Sequence, residues 1–139
     1  MLSERAEALE RIVVRRLADD DTHVVAMPDP VYSAGVGANP EFDTRTLRFE
    51  YTSLVAPVSS YDYDFAARER TLVKRQQVPG YDPDAYESHR LWATAPEGVR
   101  VPVSVVHRRG LPHDGTAPAV LYGYGSYEHS IEPGFSVAR

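Results

Sequence analysis

The sequence predicts a mainly β chain built as two partial units, residues 1–78 and 87–139, joined by a linker at 79–86. Three observations predict it. Eleven prolines and nine glycines are spread along 139 residues, which cuts the chain into segments too short for long helices. Two stretches, TLRFEYTSL and SSYDYDFAA, alternate apolar and polar residues with period two, the mark of half-buried strands. Farther on, SHRLWATA and VRVPVSVVHRR flank Pro96-Glu97-Gly98, which reads as a hairpin.

The chain opens with SERAEALERIVVRRL. Ser3 is a possible N-cap, followed by good helix formers up to Arg11. Arg11-Ile12-Val13-Val14-Arg15 has instead the β-branched residues of a strand, and a strand over 9–17 is the preferred reading. After the acidic turn Asp19-Asp20-Asp21, HVVAM reads as a strand closed by Pro28 and Pro30. Residues 30–40, PVYSAGVGANP, are turn-rich and read as a loop. Gly35 and Gly37 make a lone GxG with no third glycine and no helix after it, too little for a dinucleotide fingerprint.

Then come the clearer strands. Leu47, Phe49 and Tyr51 alternate with Arg48, Glu50 and Thr52, and Tyr61, Tyr63 and Phe65 alternate with Asp62 and Asp64. ERTLVKRQ follows the turn at Ala66-Ala67-Arg68 as a third strand. Three strands joined by short turns form a meander, to which HVVAM would add the fourth strand of a propeller blade. The linker, VPGYDPDAY with its flanks, is rich in proline and aspartate. In the hairpin beyond it, Val99, Val101, Val103 and Val105 share a face. RGLPHDGTAP is then a polar loop leading into AVLYGYG, a short apolar strand that ends in alternating glycine and tyrosine.

The formal charge of -5 argues against a nucleic-acid partner, which would need a basic surface. There are no cysteines, so disulfides and thiolate chemistry are excluded. No apolar run approaches the roughly 18 residues of a membrane span, and the charged N-terminus lacks a signal-peptide core. A cytoplasmic location is expected, with no membrane partner.

Local motifs supply no complete active site. Ser126 sits in Tyr-Gly-Ser-Tyr-Glu, without the G-x-S-x-G turn that exposes a hydrolase nucleophile, and reads as a loop serine. No pair among His23, His89, His107, His113 and His129 has the HExxH spacing of a zinc helix. His113-Asp114 reads as a solvent-facing loop pair, and His129 beside Glu128 as a coupled pair outside catalysis. Asp62 and Asp64 read as a solvated strand face. No metal and no cofactor is expected.

The order of the pieces carries more than any one of them. GANPEFDT, YTSLVAPVSSYDYD, LVKRQQVPGYDPDAYESHRLWATAPEGVRVPVSVVHRR and LYGYGSYEHSIEPGFSVAR together resemble the prolyl oligopeptidase family of serine peptidases. Within it the oligopeptidase B branch is the nearest, partly on YGYGSY. The likeness is strongest from Asp29 to Arg139. It implies a seven-bladed β-propeller capping an α/β-hydrolase domain. This chain would hold the last propeller strands, the crossing linker and the first strands of the hydrolase sheet.

The resemblance also implies function: hydrolysis of short peptides after Lys or Arg through an acyl-enzyme. Tyr124, the second tyrosine of YGYG, would donate its hydroxyl to the oxyanion of the tetrahedral intermediate, where a preoriented donor is worth most. Gly123 and Gly125 would let the backbone turn so that this ring points into the cleft. Tyr127 would line the primary substrate pocket. Glu128 stands where many relatives have glycine, and a solvated loop glutamate is preferred over a substrate contact. The triad serine, aspartate and histidine would follow position 139, so the chain alone is expected to be inactive. Its unpaired strand edges invite aggregation, so the isolated chain is expected to be poorly soluble, molten or dependent on a partner fragment, such as the missing part of the protein. The alternative is a non-catalytic β-rich remnant or interaction module whose edges pair with another chain.

Overall fold

The computed structural model describes residues 1–138 as nine strands in three antiparallel sheets. A single 3₁₀ turn at Pro83–Ala85 is the only helical piece among the described residues.

The first sheet holds β1 (Leu2–Ala6), β2 (Leu9–Arg15) and β3 (Thr22–Val24), in that order. The strand expected at 9–17 is present as β2, and its Ile12, Val13 and Val14 are buried. The helix formers before it make β1 instead. Glu7 and Ala8 both take left-handed backbone angles, φ 50° and 59°, and a two-residue turn of that kind matches the twist of a hairpin. Pairing along β2 thus overrides local helix propensity.

The second sheet runs β4 (Tyr32–Val36), β5 (Thr46–Ser53), β6 (Ser59–Asp64) and β7 (Glu69–Arg75). The meander is as expected, but its fourth strand is not HVVAM. Thr22–Val24 pairs with β2, and the fourth strand comes from the stretch read as a loop. There Ala34 lies opposite Tyr51, Gly35 opposite Glu50 and Val36 opposite Phe49. The sheet edge of β5 offers a ladder that this glycine-containing segment accepts despite weak β propensity.

Alternation decides which side is core. Leu47, Phe49, Tyr51 and Ser53 of β5 and Ser59, Tyr61 and Tyr63 of β6 are buried. Phe49 stacks on Tyr61 with centroids 5.4 Å apart and planes 14° from parallel, the cross-strand pairing that stabilises a sheet face. Ile12, Val14 and Val25 of the first sheet region close the same cluster with Ala34. Strand β7 is exposed along its whole length. The turn before it is built by Asp64, whose Oδ1 accepts from the Ala66 and Ala67 amides at 2.8 Å each.

In the linker, the Asp82 side chain caps the 3₁₀ turn, and the Tyr81 hydroxyl donates to the Val55 carbonyl at 2.6 Å. The third sheet is the expected hairpin, β8 (Tyr86–Thr94) with β9 (Arg100–Arg108). Gly98, at φ 83°, closes its turn by donating to the Ala95 carbonyl, a backbone angle that suits glycine.

Candidate functional site

Residues 109–138 carry neither strand nor helix. The strand expected at AVLYGYG does not form. Val120 and Leu121 are 97% and 91% exposed, and among the described residues no strand lies beside them to accept the ladder bonds that an extended backbone requires. Both ends of the segment are nonetheless fixed. At one end the Arg109 amide donates to the Ala85 carbonyl at 2.9 Å, and its guanidinium reaches the Asp84 and Tyr86 carbonyls. At the other, the Phe135 amide donates to Thr52 Oγ1 at 3.1 Å and the Phe135 ring meets Tyr81 edge-on at 4.8 Å. Glu132 pairs with Arg5.

Tyr124 sits between these anchors, half exposed, its ring perpendicular to that of His129 at 5.7 Å. His129 therefore packs on the tyrosine, not on its neighbour Glu128. The bend expected at Gly123 and Gly125 lies elsewhere. Neither glycine has a left-handed backbone, and a Cβ at either would meet nothing within 4 Å. The turn is made by Tyr127 and Glu128, at φ 53° and 55°, closed by the His129 amide donating to the Ser126 carbonyl at 3.1 Å. Glu128 thus holds a conformation that glycine adopts without steric cost. The Tyr127 ring is exposed. Among the described residues, no base is hydrogen-bonded to the Ser126 hydroxyl.

What this loop offers chemically is a phenol donor on a segment tethered at both ends. It holds no nucleophile–base pair. The surface acids serve structure: Asp62 accepts two bonds from Arg48 across the β5–β6 ladder, and Asp64 holds its turn. Burial, aided by the nearby Asp29 carboxylate, drives the Tyr51 phenol far above its ordinary pKa, so it stays a neutral donor to Asp29.

A second grouping escaped the sequence reading. On the hairpin, Glu87 lies opposite His107, and His89 lies two residues along the same face. Glu87, His89 and His107 each bring one ligating atom within 4.8 Å of the others. His113, read as solvent-facing, has its ring edge-on to His107 at 4.9 Å. A signal was available: the turn at 96–98 fixes the register, and that register sets residue 87 across from 107. A search for helical HExxH spacing could not see it.

Among the described residues, no helix is long and apolar enough to cross a membrane.

Comparison with known proteins adds three findings. Residues 1–76 match the family model described as prolyl oligopeptidase, N-terminal β-propeller domain. The chain is 41% identical over 140 residues to dipeptidyl aminopeptidase BI of Pseudoxanthomonas mexicana, and 30% identical over 140 residues to protease 2 of Moraxella lacunata. All of this chain is covered in both, against 19% and 20% of those proteins, so it spans about a fifth of their length. Among solved structures, it superposes on oligopeptidase B from Leishmania major with a TM-score of 0.78 at 32% identity, covering 97% of this chain and 20% of that one. For oligopeptidase B from Trypanosoma brucei with covalently bound antipain, the TM-score is 0.79 at 34% identity, covering 96% and 20%.

Proposed function

The chain belongs to the prolyl oligopeptidase family of serine peptidases, and we propose that it is the part of such an enzyme that carries one oxyanion donor. In this reading the whole protein cleaves short peptides after Lys or Arg through an acyl-enzyme, and Tyr124 donates its hydroxyl to the oxyanion. Residues 87–139 begin the α/β-hydrolase domain, and the triad is supplied by sequence outside these residues. The observation that carries the reading is that the likeness to the two oligopeptidase B structures extends past residue 76, over the hairpin and the tyrosine loop.

The physics agrees with a supporting role. Acyl transfer builds charge on a carbonyl oxygen, and a fixed phenol donor stabilises that charge selectively. Without a nucleophile such a donor has nothing to assist, so the 139-residue chain alone hydrolyses no peptide. The name of the Pseudoxanthomonas relative favours a second substrate reading, release of dipeptides from a free N-terminus.

Tyr124→Phe in the full-length enzyme tests the role. Loss of one oxyanion donor lowers kcat by about 100- to 1000-fold with KM nearly unchanged, because the lost bond exists only in the transition state. A kcat within about twofold of the parent would remove Tyr124 from the mechanism. Chromogenic substrates ending in Arg or Lys, with free and blocked N-termini, separate the two substrate readings: the dipeptidyl reading requires the free amine.

A further inference from the structure

We propose that Glu87, His89 and His107 form a binding site for a divalent transition-metal ion of the zinc class. The inference is independent of the peptidase reading, because metal binding is measured without any peptide.

The donor set selects the metal. Two imidazoles and one carboxylate suit zinc, cobalt, nickel or copper, whereas magnesium and calcium prefer oxygen. The distances are near what such an ion needs. Glu87 Oε2 lies 3.8 Å from His89 Nε2, and one ligand atom from each of the three residues lies within 4.8 Å of the others. Tetrahedral zinc with bonds of about 2.0–2.1 Å places its ligand atoms roughly 3.3 Å apart. The widest separation, within 4.8 Å, closes by side-chain rotation, for which the partly exposed His89 and Glu87 have room.

His107 is the more telling member. Its side chain is only 9% exposed, Nε2 is buried without a hydrogen-bond partner, and Nδ1 lies 2.9 Å from the Arg108 carbonyl. An Nδ1–H held by a backbone carbonyl leaves the Nε2 lone pair bare, the arrangement that orients histidine as a metal ligand. A buried, unpartnered nitrogen is costly, and coordination removes that cost. The ring stacks on His89 at 5.1 Å and meets His113 edge-on.

One group opposes the ion. The Arg109 guanidinium stands 3.6 Å from Glu87 Oε2 and competes for that carboxylate. Only its Nη1 faces Glu87, while Nε and Nη2 hold the Asp84 and Tyr86 carbonyls, and a 3.6 Å approach is looser than a hydrogen bond. A bound ion would join β8 and β9 at the open end of the hairpin.

The test is a zinc chloride titration of the 139-residue chain by calorimetry, with cobalt(II) absorption reporting tetrahedral coordination. One ion per chain is expected. His89→Gln and His107→Gln should each weaken binding by at least the roughly 10- to 100-fold that loss of an outer-shell partner costs, His129→Gln should leave it unchanged, and Arg109→Gln should tighten it. Absence of binding, or equal affinity in all the histidine variants, would overturn the site. If His107→Gln fails to fold, His89→Gln, altering a side chain at the surface, decides the question.

Discussion

Arg48 on β5 and Asp62 on β6 face each other across the ladder and share two hydrogen bonds, each 2.8 Å long. The fork of the guanidinium matches the carboxylate, so the pair fixes register on the solvent side of the sheet while Phe49 and Tyr61 fix it on the core side.

That pair gives stability a pH dependence. Bonding to Arg48 holds the Asp62 carboxyl below the usual carboxylate range in the folded state. A depressed folded pKa contributes stability above the unfolded value of about 3.9, and the contribution is lost as pH falls through the folded value. Asp62→Asn should therefore lower the urea midpoint slightly at pH 7, as befits an exposed pair, and the difference should shrink below pH of about 4. A difference as large in acid as at neutrality would assign Asp62 some other role.

Phe49 is fully buried and stacked on Tyr61. Phe49→Ala removes the ring and leaves a cavity, at a cost of about 3–5 kcal/mol. That is comparable with the entire stability of a small domain. Denaturant titration followed by tyrosine fluorescence should show the cooperative transition lost or moved close to zero denaturant.

Tyr81 links the sheet, the linker and the end of the tyrosine loop through the Val55 carbonyl, the Tyr86 ring and the Phe135 ring. Tyr81→Phe loses one hydrogen bond, about 1 kcal/mol, and keeps the ring contacts. Tyr81→Ala loses both and should release Phe135. Limited proteolysis should then cut the 110–132 stretch much faster in Tyr81→Ala than in Tyr81→Phe. Equal rates in the two would show that Phe135 is held by Thr52 alone.

Glu128 occupies the left-handed region without being glycine, which costs about 1–2 kcal/mol. Glu128→Gly should relieve that strain and leave the turn in place, whereas Glu128→Val should disrupt it. Chemical shifts of the Ser126 and His129 backbone report the turn directly. In the full-length protein, Glu128→Gln should leave the proposed preference for Lys or Arg unchanged.

Side-chain alternation made β5 and β6 legible, because each apolar residue in Leu47-Phe49-Tyr51 and Tyr61-Tyr63 meets a partner on the same face, and β7 followed from the turn before it. Strand β4 was illegible for the opposite reason: Gly35 and Gly37 look like loop, and only the edge of β5 makes a strand of Tyr32–Val36. Strand β1 was hidden under helix formers that the Glu7–Ala8 turn reverses. AVLYGYG has strand-like residues and no neighbour, so its propensity goes unused. The carboxylate and imidazoles of the hairpin were legible only through register, a relation between strands that no contiguous motif contains.

The tethers of the last segment also set an order of events in time. The meander and the hairpin close through short turns, which form on about the microsecond scale. The bond from Phe135 to Thr52 spans 83 residues, as does the bond from the Arg90 guanidinium to the Glu7 carbonyl. Such long closures gain nothing until their scaffolds exist, so they form last and open first. Amide hydrogens from 110 to 138 should exchange together, well ahead of β5 and β6, as the chain's earliest cooperative breath.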